Sequence, residues 1–68
     1  MRFIVEVERE EDGRWIADIP ELPGVLVYGA SPEEARAKVQ ALALRVLADR
    51  LENGESHASL LTISFAAA

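Results

Sequence analysis

Between Gly13 and Ala35 the chain reads GRWIADIPELPGVLVYGASPEEA, and this stretch limits what the remainder can build. Two runs rich in aromatic and β-branched residues are separated by Pro20-Glu21-Leu22-Pro23-Gly24. Proline lacks the N–H that a strand ladder needs and restrains the residue before it, so this segment is a corner. A helix must open directly after Gly29. Ser31 supplies an N-cap, Pro32 the first helical position, and Glu34 the glutamate three residues after the serine, which together make a capping box. Glu33 and Glu34 also sit at the positive end of the helix dipole.

On the N-terminal side, Phe3, Val5 and Val7 alternate with Ile4, Glu6 and Glu8, the period of a half-buried strand. Glu10, Glu11 and Asp12 then meet Gly13, which supplies the positive φ of a tight hairpin. A second strand over Arg14 to Ile19 places Trp15, Ala17 and Ile19 on one face and Arg14, Ile16 and Asp18 on the other. Trp15 and Tyr28 read as packing residues and not as a stacking platform, because no lysine or arginine is interleaved with them as single-stranded nucleic acid would require. A third strand runs over Val25 to Tyr28.

At 100° per residue, Ala35, Val39, Leu42, Ala43 and Val46 form a stripe that packs on the sheet. A second band, Leu44, Leu47 and Leu51 beside alanines 37, 41 and 48, lies more than a quarter turn away. Asn53-Gly54 ends the helix with a left-handed cap. From Pro32 to Glu52 it measures about 31 Å, against about 23 Å for a seven-residue strand, so its C-terminal end overhangs. Leu60 to Phe65 alternates once more and is the fourth strand. The expected fold is α+β: a βββαβ two-layer sandwich over residues 1–68, one domain, with one long helix on a four-stranded mixed sheet. A right-handed crossover sets the strand order 3-2-1-4. The face away from the helix carries Ile4, Ile16, Leu26, Tyr28 and Leu60 among charges and suits a partner.

Composition narrows the function. The chain has 12 acidic and 7 basic residues and a formal charge of −5, which repels phosphate and attracts basic partners. Direct binding to nucleic acid is not expected. There is no cysteine and one histidine, so neither a disulfide nor a metal site is expected, and His57 reads as a solvated loop residue. Two-metal chemistry needs carboxylates converging from separate elements. Glu6 or Glu8 and Asp18 would supply two, but Leu60 to Ala68 holds none, so the chain reads as no enzyme, with no catalytic residue and no cofactor. The opening MRFIVEVERE has charges inside its first ten residues, and no apolar run reaches signal-peptide or membrane-spanning length, so a soluble cytoplasmic protein is expected. A domain of 68 residues gains only about 3–5 kcal/mol from its core and commonly adds a subunit. Leu44, Leu47 and Leu51 are accordingly expected to join two or more copies.

Gly13-Arg14-Trp15-Ile16-Ala17, the PELPG corner, Tyr28-Gly29 and the helix start Ser31-Pro32-Glu33-Glu34-Ala35 resemble the HicB-like antitoxin family. The likeness covers roughly residues 1–50 in pattern. It implies a truncated ribonuclease-H-like domain, oligomer formation and a small basic HicA-like toxin that cleaves messenger RNA as partner. Full-length members carry an operator-binding segment beyond this domain, for which this sequence has no counterpart, so DNA binding is not carried over. Charge steers such a toxin toward the hairpin tip and the corner, making Glu10, Glu11, Asp12, Glu21 and Tyr28 the expected partner-binding residues. The alternative is a stand-alone homo-oligomer that binds a small molecule or an unrelated protein.

Overall fold

The computed structural model describes residues 1–54 and 62–68. Its elements are β1 (Arg2–Arg9), β2 (Trp15–Asp18), β3 (Leu26–Gly29), α1 (Pro32–Glu52) and β4 (Ser64–Ala67). They form a four-stranded mixed sheet of order β3-β2-β1-β4, antiparallel except for the β1–β4 pair, with α1 on one face. This is the expected α+β architecture and strand order. No helix among the described residues is long and apolar enough to cross a membrane.

Local chemistry sets the helix start. The Ser31 hydroxyl accepts from the Glu34 N–H at 3.1 Å, and Glu34 Oε1 accepts from the Ala30 N–H at 3.2 Å while pairing with Lys38 at 3.0 Å. The glutamate thus reaches back one residue beyond the cap. At the far end Gly54 takes φ 71°, whereas Asn53 stays at −89°, so the glycine alone makes the left-handed turn.

The core lies between α1 and one sheet face. Phe3, Val5, Ala17, Ile19, Leu22 and Val25 meet Ala35, Val39, Ala43 and Leu47, all buried. Spacing the buried helical residues four apart turns the stripe toward Leu47, and leaves Leu42 and Val46 half-buried beside it. Alanines at 35 and 43 let α1 lie close to the strands. Closest is the β3–α1 junction: a Cβ on Gly29 would stand 2.6 Å from the Ala35 backbone nitrogen.

The fourth strand differs from expectation. Among the described residues it spans Ser64–Ala67, so that Thr62 and Ile63 of the expected Leu60 to Phe65 run stand outside it, because the parallel register puts Ser64 beside Arg2, the first residue of β1, and Phe65 beside Phe3. The Thr62 carbonyl accepts from the Met1 amino group, which precedes β1. The two phenylalanine rings, 6.0 Å apart on the core side, mark the same register. Leu60, Leu61 and the loop residue His57 lie outside the described residues.

Candidate functional site

The expected partner residues occupy two ends of the sheet. At the β1–β2 hairpin the Glu10 N–H donates to the Arg14 carbonyl at 2.7 Å, and the Gly13 N–H to the Glu10 carbonyl at 3.0 Å, with Gly13 at φ 90°. Only the glycine is left-handed, as in a turn closed by a one-residue bulge. The loop turns Arg14 back over its own neighbours. Its backbone N–H and Nε donate to the two Asp12 carboxylate oxygens at 3.0 and 2.6 Å, and its guanidinium lies 4.3 Å above the Tyr28 ring centroid. The Arg14 backbone N–H, then its side chain, holds the Asp12 carboxyl below its ordinary value. Asp12 and Tyr28 are therefore bound into one unit through a cation, which leaves Glu10 and Glu11 as the unpaired charges of the tip among the described residues.

Glu21 is not part of that group. It is exposed on the corner at the other end of β2, about 13 Å of strand away. The corner is two successive turns: the Leu22 N–H donates to the Ile19 carbonyl at 2.9 Å, and the Val25 N–H to the Leu22 carbonyl at 3.0 Å. Pro20 and Pro23 pre-set the first central position of each, and Gly24 takes the φ of 86° that a type II turn needs. Leu22 is 3% exposed and pins the corner to the core.

The expected leucine contact also divides. Leu47 is 3% exposed and belongs to the core, whereas Leu44 and Leu51 are 48% and 40% exposed. The sheet receives α1 chiefly over β3 and β2, and the rotation that brings Leu47 inward leaves the other two in solvent.

The sheet face away from α1, expected to suit a partner, also gathers three carboxylates that were not among the expected partner-binding residues. Register pairs Glu6 with Asp18 and Glu8 with Ile16 across β1–β2, and Asp18 with Leu26 and Ile16 with Tyr28 across β2–β3. The Glu10 to Arg14 bond puts Glu6–Asp18 in the hydrogen-bonded class of pairs, with Cα atoms about 5.5 Å apart. Three carboxylates thus surround Ile16 in a shallow hollow of ≈ 440 Å³ whose remaining lining is Val7 and Ala68. None of the three makes an ion pair among the described residues. Nor are any three His, Cys, Asp or Glu side chains among those residues placed to hold a metal ion. Side chains on a flat face point in parallel; they present charge outward and do not converge on a point. The signal was present in the sequence as period-two alternation, since Glu6 and Glu8 share a face with Ile4, and Asp18 with Ile16. Compared with family models, with curated proteins and with solved structures, the chain matches none.

Proposed function

We propose that this chain is a non-catalytic protein-interaction module of the HicB-like antitoxin kind, which masks a small basic HicA-like toxin in the cytoplasm. The observation that carries the reading is the open sheet face, where Glu6, Glu8 and Asp18 stand unpaired among the described residues around Ile16, with Leu26 and Tyr28 exposed beside them. An apolar strip flanked by three unpaired carboxylates complements a surface that offers lysine or arginine around an apolar centre. The sequence likeness in the PELPG corner and the SPEEA helix start supports the same family. The hairpin tip, with Glu10 and Glu11, extends the negative field at one end of this face and contributes to steering.

The test is co-purification of the chain with the product of the adjacent reading frame, followed by binding kinetics at several salt concentrations. Association should slow as salt rises. An Asp18→Lys, Glu8→Lys variant that keeps its circular dichroism should lose the partner. If no small basic protein is encoded nearby, and none survives purification from the native extract, the stand-alone homo-oligomer takes its place.

A further inference from the structure

The outer edge of β3 leaves main-chain groups open in the ladder. The Ile19 N–H donates to the Val25 carbonyl at 3.1 Å, and this pair continues the register that sets Asp18 against Leu26 and Ile16 against Tyr28. Bonded and non-bonded pairs alternate along an antiparallel ladder, so Val25, Val27 and Gly29 direct their N–H and C=O groups to β2, and Leu26 and Tyr28 direct theirs outward. Ala30 is next in the outward series, and its N–H is taken by Glu34 Oε1 at 3.2 Å. Among the described residues the backbone groups of Leu26 and Tyr28 have no partner, because β3 ends the sheet. Edge strands are commonly closed by a lysine, a proline or a bulge. The Leu-Val-Tyr-Gly of β3 holds no charge and no proline, and its register is unbroken.

From this we infer that the outer edge of β3 takes an extended segment of a basic partner as an added antiparallel strand. The inference deepens the toxin-binding reading, on which the choice of a basic occupant rests. An antiparallel segment exchanges both bonds with Leu26 and both with Tyr28, which uses every open group. Its two bonded residues place their side chains on the open face, beside Leu26 and Tyr28, which are 47% and 40% exposed. The residue opposite Leu26 stands two strand spacings from Asp18, about 10 Å. A lysine or arginine there lays its methylene stem over Leu26 and brings its charge to Asp18, whose carboxylate is unpaired among the described residues. The residue opposite Tyr28 meets a ring already faced by the Arg14 guanidinium at 4.3 Å, so it is apolar. In the antiparallel direction the segment then reads apolar residue, any residue, cation. A second copy suits this edge poorly. Two β3 strands paired about Val27 would bring Glu21 in the corner of each toward the Glu33-Glu34 helix start of the other, between chains of charge −5. The opposite edge, β4, turns Ser64, Ala66 and Ala68 to the open face and offers no large side chain there.

The probe is the blocked pentapeptide acetyl-Thr-Val-Thr-Lys-Thr-amide, titrated to millimolar concentration against the isotope-labelled chain and followed by amide resonances. The Leu26 and Tyr28 amides should shift and exchange with solvent several-fold more slowly, while those of Phe65 and Ala67 on β4 stay unchanged. Replacing the peptide lysine by glutamate should weaken binding by about tenfold. N-methylation of that lysine should abolish binding, whereas N-methylation of the central threonine, whose N–H points away from β3, should leave it in place. Leu26→Pro removes an N–H that bonds nothing among the described residues, so circular dichroism should be unchanged and peptide binding lost. Four outcomes overturn the inference: β3 amides unmoved by the peptide, equal binding of the N-methyl-lysine peptide, shifts at Phe65 and Ala67 instead, or protection of the β3 amides that grows with the concentration of the chain alone, which gives the edge to a second copy. The toxin-binding reading is judged separately. A partner that co-purifies with the Leu26→Pro chain as with wild type, but not with the Asp18→Lys, Glu8→Lys chain, sinks the edge and keeps that reading. Peptide binding at the edge with no basic partner in the native extract does the reverse.

Discussion

Replacing Gly29 by alanine tests how closely α1 is seated on β3. The new Cβ would lie 2.6 Å from the Ala35 nitrogen, 3.0 Å from its Cα and 3.2 Å from its Cβ. Below about 3 Å something has to move, and here the nearest atoms are backbone, held by the Ala35 N–H bond to the Ser31 carbonyl at 3.0 Å. Overpacking by one methyl costs about 1–3 kcal/mol. Alanine also stiffens the unfolded chain, which returns about 0.4–1 kcal/mol where the backbone conformation is ordinary, and Gly29 has no positive φ. The net loss is about 1–2 kcal/mol, which lowers Tm by about 4–8 °C per kcal/mol in a domain of this size. Urea unfolding at fixed protein concentration should show a lower midpoint with an unchanged slope. Size discriminates the cause: Gly29→Val should be worse than Gly29→Ala, whereas at Gly13, with φ 90° and nothing within 4 Å, the cost comes from the backbone and should vary little with side chain. In an Ala35→Gly background, which lacks the Cβ contact, the further loss from Gly29→Ala should be smaller by only a minor part. Full rescue, or a Gly29→Ala midpoint equal to wild type, would refute the claim that backbone is the obstacle.

Leu47→Ala should destabilise the fold by about 2–5 kcal/mol as a core truncation, while Leu44→Ala in a monomeric background stays within about 0.5 kcal/mol; equilibrium unfolding of the pair separates core from surface. The Glu34 carboxyl lies below its ordinary value of 4.5, chiefly through Lys38 and then the Ala30 N–H. A lowered folded pKa gives stability that is present above pH 4.5 and lost as pH falls through the folded value. Acid titration of Glu34→Gln should therefore show a shallower loss across that window than wild type, and equal slopes would remove the role assigned to the cap. Glu6 and Asp18 face each other as like charges worth about 0.7 kcal/mol of repulsion at roughly 6 Å in water. Asp18→Asn should thus raise the urea midpoint slightly while weakening capture of a basic partner, and a lowered midpoint would mean that the carboxylate has a structural role.

The parts of this fold that were legible are those decided by neighbours in sequence. Ser31, Pro32 and Glu34 act within one turn, and the helix begins at Pro32 and ends at Glu52 as its caps dictate. Pro20, Pro23 and Gly24 make their corner by local torsion alone. What escaped depends on contacts between distant elements. Leu47 looks like a flank position on a helical wheel, and only the seating of α1 over β3 and β2 turns it inward. The position of β4 follows from where β1 begins, and the poor strand propensity of Ala66 and Ala67 hid the end that pairs. At the hairpin tip, the acidic run reads as three free charges until the bulge at Gly13 brings Arg14 back onto Asp12 and Tyr28. The carboxylates of the open face could be placed on one side by alternation, but their juxtaposition is a property of the Glu6–Asp18 register.

Among the described residues, the open sheet face and the outer face of α1 are both without cover, and they point away from each other. The acidic group stands on the sheet face opposite α1, while the band through Leu44 and Leu51 lies on the side of α1 turned from the sheet. Pairing two copies through their helices would place the two sheets outermost, each with Glu6, Glu8 and Asp18 facing solvent. On the proposed reading such a dimer would offer both acidic faces to basic partners at once, and neither partner would have to displace the other copy. The two associations are then separable by mutation: Leu44→Glu, Leu51→Glu should leave a monomer that still takes one partner, and Asp18→Lys, Glu8→Lys a dimer that takes none. Linked loss of both properties in either variant would mean that one surface serves both, which the placement of these residues on opposite layers argues against.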